Sequence, residues 1–149
     1  MKGEGQMKKY LLDTNIIIKL WERDNKSLDK LLKENKVLIL REVLNELSIK
    51  ETKEYKRKEV LSERFCSLLP YSMEVEKENV SGFYMIFDYK TKDKISSNNL
   101  SQNDLLQLYA CYINDEVNLV TEDKELFNIA KYILGDDRVL ETKELINLQ

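Results

Sequence analysis

The stretch Lys8 to Trp21, KKYLLDTNIIIKLW, constrains the fold more than any other, because a short apolar run stops at an acid and an amphipathic segment begins at once. Tyr10-Leu11-Leu12 has the continuity of a buried strand, and Ile16, Ile17, Leu20 and Trp21 recur at helical spacing behind Asn15. A strand that runs directly into a helix opens a βα unit. In an open α/β sheet the carboxyl end of such a strand is where ligands bind, and Asp13 stands at that end.

The pattern recurs along the chain. Val37 to Leu40 is a continuous apolar run, as expected of a parallel strand buried on both faces, and Arg41 to about Ser48 follows it as a helix with Val43, Leu44 and Leu47 inward. Val117 to Val120 enters Thr121-Glu122-Asp123, with Leu126, Ile129, Ala130 and Ile133 marking the next helix. Between these units, Ser27 is placed to cap a helix through about Glu34. Leu68 to Val75 reads as a short strand that Pro70 confines to an edge. Glu76 to Tyr89 is a helix whose aromatic face belongs to the core, Lys90 to Asn99 a loop, and Ser101 the start of a helix through about Ile113, with Leu105, Leu106, Leu108, Tyr109 and Ile113 mostly inward. Gly135 is placed for a left-handed cap, Arg138 to Leu140 for a last strand, and Thr142 to cap a terminal helix. This alternation predicts an α/β fold, a three-layer α/β/α sandwich on a mostly parallel sheet of about five strands.

Composition agrees. With only 4 Gly and 1 Pro in 149 residues, a turn-rich all-β protein is disfavoured. Residues 7–149 are read as one domain, and residues 1–6, MKGEGQ, as a flexible leader or a remnant ahead of a natural start at Met7. No apolar run approaches the roughly 20 residues of a membrane span, and no signal-peptide core precedes the domain, so a cytoplasmic protein is expected. Cys66 and Cys111 lack metal or redox spacing and are read as apolar fillers. A net charge of −3 does not advertise a nucleic-acid binder, but a local basic face or a bound metal can serve a polyanion. Lys50 to Arg64, KETKEYKRKEVLSER, reads as a solvated helix face; the sharper alternative makes Lys53, Lys56, Arg57 and Lys58 a phosphate-contacting rim for RNA.

Four acids fall where the pattern converges: Asp13, Glu46, Asp104 and Asp123. Each has a structural explanation. Asp13 and Asp123 can cap the helices that follow them, Ser101-x-x-Asp104 has the form of a capping box, and Glu46 can be a solvated helix carboxylate. Caps alone do not require all four to sit at or beside strand ends. The chain contains no His, so soft and borderline metals lose their usual ligands, whereas Mg²⁺ and Mn²⁺ favour carboxylate and water oxygens. A cation would also relieve the mutual repulsion of clustered carboxylates, and a water it acidifies can attack a phosphodiester.

These residues resemble the PIN domain nucleases, and in particular the small single-domain toxin ribonucleases of bacterial toxin–antitoxin systems. The resemblance is carried by LLDTN at Asp13, VLNELS at Glu46, NDLLQLYAC at Asp104 with Ala110 beyond it, and LVTEDKEL at Thr121 and Asp123. It implies catalytic Asp13, Glu46, Asp104 and Asp123, with Asp13, Asp104 and Asp123 as ligands of Mg²⁺ or Mn²⁺, and Thr14, Asn15 and Thr121 orienting them. It also implies RNA (tRNA or mRNA) as substrate, a homodimer, and an antitoxin partner. Two other functions compete with a metal-dependent endoribonuclease. One is a PIN-like module that binds RNA or protein without cutting. The other is a receiver-like domain phosphorylated on a strand-end Asp, which the spread of the acids and the lack of a matching Lys disfavour.

Overall fold

The computed structural model describes residues 8–55, 58–91 and 100–148. Strand β1 (Lys9–Leu12) ends one residue before helix α1 (Thr14–Arg23), so Asp13 is the joint between them. Leu11, Leu12, Ile16 and Ile17 are all fully buried, which fixes both the strand and the inward face of the helix. Helix α2 (Asn25–Lys33) follows a break at Asp24. Asp24, rather than Ser27, is its cap: the Asp24 carboxylate accepts from the Ser27 N–H at 3.2 Å and from its hydroxyl at 2.8 Å. An acid just ahead of the helix outcompetes a serine already inside its first turn.

Strand β2 (Val37–Leu40) runs straight into α3 (Arg41–Glu51). The charged segment after it is a two-stranded antiparallel ribbon, β3 (Thr52–Tyr55) with β4 (Lys58–Leu61), and not a helix. A run of mixed charge carries no apolar period to separate the two, and Thr52, Tyr55 and Val60 favour the extended state. The base of the ribbon is tied to α3 through Glu51, which is 8% exposed and accepts from Arg64 at 2.8 and 2.9 Å and from the Ser62 hydroxyl at 2.7 Å. Lys53 falls on β3 and Lys58 on β4; Lys56 and Arg57 lie outside the described residues, as do residues 1–6.

A short helix α4 (Glu63–Cys66) leads to β5 (Ser72–Met73), which lies at the sheet edge as expected but is shorter than the run 68–75, because Pro70 falls in a 3₁₀ turn, Leu69–Tyr71, ahead of it. Helix α5 (Val80–Thr91) carries Phe83 and Phe87 into the core, and most of the loop expected after it, residues 92–99, lies outside the described residues. Next come α6 (Gln102–Tyr112), β6 (Val117–Val120), α7 (Lys124–Leu134), β7 (Val139–Leu140) and α8 (Thr142–Asn147). Gly135 ends α7 at φ 113°, ψ 153°, a positive-φ but extended conformation rather than the left-handed helical one. Glu141, not Thr142, caps α8 in a capping box, its N–H donating to Glu144 at 3.0 Å, while the Thr142 N–H donates to Glu122 at 2.7 Å. Ile113 is half exposed beyond the end of α6.

The five-stranded sheet has the order β5-β2-β1-β6-β7, every pair parallel. Helices cover both faces, α1 packing with α2 and α3, and α5, α6 and α7 with one another, as the three-layer sandwich requires. β6 is buried at all four positions, consistent with a central strand covered on both sides. Cys111 is buried, and that burial pushes its thiol up to about 12, but Cys66 is exposed and fills no core. No helix among the described residues is long and apolar enough to cross a membrane.

Candidate active site

β1 lies in the middle of the sheet with β2 on one side and β6 on the other, so the chain reverses its direction of travel across the sheet there. This is a topological switch point, where the connections leave a crevice beyond the carboxyl ends of the strands. Leu12 is in register with Val120, so Asp13 and Thr121, the next residues of β1 and β6, emerge side by side. Glu46 comes from the second turn of the helix that leaves β2, and Asp104 from the first turn of α6.

These elements enclose a cavity of about 360 Å³. All seven residues expected to act or orient, Asp13, Thr14, Asn15, Glu46, Asp104, Thr121 and Asp123, line it. Ile16, Ser101, Asn103 and Glu122 line it as well. The described lining thus holds five carboxylates and no basic side chain; Lys19 stands at the rim, 3.2 Å from Glu122. Burial opposes ionisation of Glu122, but the Thr142 N–H and Lys19 outweigh it and hold its carboxyl below the usual range.

Asp13 and Asp123 do cap helices, and Asp104 completes the capping box of Ser101. Asp13 Oδ1 accepts from the Thr14 N–H at 2.7 Å, Asp123 Oδ1 from the Leu126 N–H at 3.0 Å, and Asp104 Oδ2 from the Ser101 N–H at 3.1 Å within a complete capping box. A cap engages one oxygen of each carboxylate and leaves the second for another partner, so the structural and chemical readings are compatible. Glu46 is held at both oxygens, by the Thr14 hydroxyl at 2.6 Å and by the Asn103 amide at 3.3 Å. The Thr121 hydroxyl accepts from the Asp123 N–H at 3.1 Å and fixes the turn that presents it.

Burial is the main cause that raises the Asp13 carboxyl above its usual value, with repulsion from Asp104 and Glu46 adding to it against the Thr14 N–H and the Gln107 side chain. Asp104 is raised in the same way, chiefly by burial and further by Asp123 and Glu46, against its bonds to Ser101. The acids therefore feel one another across the cavity. Among the described residues, however, no three acidic side chains stand close enough to share one metal ion as a closed ligand set. An all-oxygen donor set around an open cavity fits a hydrated hard cation, since Mg²⁺ keeps several waters and takes only one or two carboxylates directly. Asp13, Asp104 and Asp123, which all line the cavity, are the expected ligands that could hold it.

Three contributors escape the strand-end logic. Asn103 and Glu122 each adjoin a recognised acid but carry no periodic signal. Gln107 lies one turn beyond Asp104 on α6, fully buried, and its side chain acts on the Asp13 carboxyl, favouring the ionised form. A polar residue within the apolar face of LLQLYA is the signal that could have marked it.

The fold has a solved counterpart. The crystal structure of PAE2754 from Pyrobaculum aerophilum shares the fold, with a TM-score of 0.58 at 18% identity over 97% of this chain and 92% of that one. No curated protein matches the sequence. A sequence model of the PIN domain matches residues 10–132, from the first strand into α7, and the chain belongs to the PIN domain family.

Proposed function

We propose that this protein is a metal-dependent endoribonuclease that hydrolyses RNA phosphodiester bonds in the carboxylate cavity. The observation that carries the reading is the lining itself: five carboxylates without a basic side chain, at the switch point of a PIN fold. Such a cavity repels a phosphate unless a cation stands between them. A bound Mg²⁺ or Mn²⁺ supplies that charge and a water acidic enough to attack phosphorus. Asp13, Asp104 and Asp123 would hold the cation, the last from the start of α7. Glu46, pinned by Thr14 and Asn103, presents a fixed carboxylate plane that orients a water and accepts its proton. Thr121 and Asn15 shape the remaining wall.

The proposal extends to a cytoplasmic toxin of a toxin–antitoxin pair that works as a homodimer and is blocked by an antitoxin, on the strength of the motif resemblance alone. A second reading, a PIN-like module that holds RNA or protein without cutting, is favoured by the absence of a closed ligand set among the described residues. Cleavage of a panel of tRNA, mRNA and single-stranded DNA with Mg²⁺, Mn²⁺ or EDTA separates the two. The nuclease cuts RNA only with a divalent cation, and Asp13→Asn abolishes cutting. Intact RNA under every metal condition, with affinity retained, establishes the module instead.

A further inference from the structure

A second cavity of about 360 Å³ opens beside the carboxylate cavity, and Asn103 lines both. Because the Asn103 amide donates to Glu46 at 3.3 Å, whatever occupies the second cavity lies one side chain away from the carboxylates. Its apolar walls are Val80, Leu106 and Tyr84, the last with its ring braced 6.2 Å from that of Phe83. The remaining lining is the Ser81 hydroxyl, the Gln102 amide and the Glu42 carboxylate.

This chemistry selects its occupant. The described lining has no cation to offer a phosphate. The neutral part of a nucleotide suits it: flat apolar faces meet Leu106 and Tyr84, and base edges meet amides, a hydroxyl and a carboxylate. A glutamate accepts from an exocyclic amino group, as on cytosine, and has nothing to offer a carbonyl in the same position. Bases free to enter such a cavity belong to single strands, where stacking on an aromatic ring and hydrogen bonds to exposed edges give recognition.

We propose that this cavity is a nucleobase subsite, which takes the unpaired base of the nucleotide flanking the phosphate in the carboxylate cavity and prefers a base with an exocyclic amino group. The identity of that phosphate rests on the nuclease reading; the base pocket does not. The substrate is then single-stranded RNA, cut beside an amino-bearing base.

The test is fluorescence anisotropy of the full chain with short oligo(C), oligo(U) and abasic strands of equal charge, with Ca²⁺ replacing Mg²⁺ to slow cutting. Oligo(C) binds about ten-fold more tightly than oligo(U) or the abasic strand. Glu42→Gln, which keeps shape, erases the preference for C over U, and Tyr84→Leu brings both base-bearing strands toward the abasic affinity. Equal affinity for base-bearing and abasic strands, or a preference that survives both substitutions, overturns the subsite. Hydrolysis of bis(p-nitrophenyl) phosphate by the wild type reads the nuclease separately. Hydrolysis without base preference defeats the subsite alone, and base preference without hydrolysis of this diester or of RNA defeats the nuclease alone.

Discussion

Asp13 and Asp104 are strained by their own neighbourhood. Both titrate above the ordinary aspartate value, so between the unfolded value of about 3.9 and their raised folded values the native chain binds more protons than the unfolded one. Stability of the metal-free protein therefore falls as pH rises through that window. Asp13→Asn removes one of the charges while keeping a residue that caps a helix as well as Asp does. In EDTA at pH 7 this variant is expected to be more stable than wild type by roughly 0.5–2 kcal/mol, the usual gain when a functional site is relieved, and to show a shallower pH dependence in thermal melts. Equal or lower stability across the pH range contradicts the charge repulsion. Gln107 gives a second test at this scale. The buried Gln107 amide favours the Asp13 carboxylate, so Gln107→Met, similar in shape and without the amide, is expected to lower the stability of the metal-free protein at pH 7 by about 1 kcal/mol in urea titrations. A gain of stability contradicts that support of Asp13 by the amide.

The three central strands of the sheet were legible because each announces itself as an apolar run: β1, β2 and β6 lie where Tyr10-Leu11-Leu12, Val37-Leu38-Ile39-Leu40 and Val117 to Val120 place them. The ribbon β3–β4 was not, because alternating charge satisfies a solvated helix and a solvated ribbon equally. Caps failed at Ser27 and Thr142 for a shared reason: an acid, Asp24 or Glu141, precedes each and takes the capping position. Arg138 shows what a local reading misses at longer range. It looks like the start of a strand, yet its guanidinium donates to the carbonyls of Cys111, Asn114 and Val117 at 2.8, 3.0 and 2.6 Å and to Asn118 at 3.0 Å. It joins the end of α6 to β6 and so fixes the helix that carries Asp104. Arg138→Met is expected to cost about 2–3 kcal/mol, since buried carbonyls lose a charged donor, and chemical denaturation reads this directly. A change below about 0.5 kcal/mol, the range of ordinary surface substitutions, refutes the role.

At the scale of the whole molecule, the site follows from topology. A parallel sheet that reverses direction at β1 brings the ends of β1 and β6 and the starts of α1, α3 and α6 to one crevice, so carboxylates spread from position 13 to position 123 converge there. The convergence of Asp13, Glu46, Asp104 and Asp123 was readable from their places beside apolar runs. Glu122, Asn103 and Gln107 were not, because their roles depend on which helix face meets the cavity. The account rests on one claim, that this crevice holds a divalent cation. A cation that binds only the native state must raise its stability in proportion to the logarithm of its concentration once saturating. The most direct measurement is a titration of Mn²⁺ followed by electron paramagnetic resonance, which counts free against bound ion in wild type and in Asp13→Asn and Asp104→Asn. The account predicts saturable binding to wild type, weakened at least ten-fold in each variant. Binding of equal strength in all three proteins, or none in any, contradicts it.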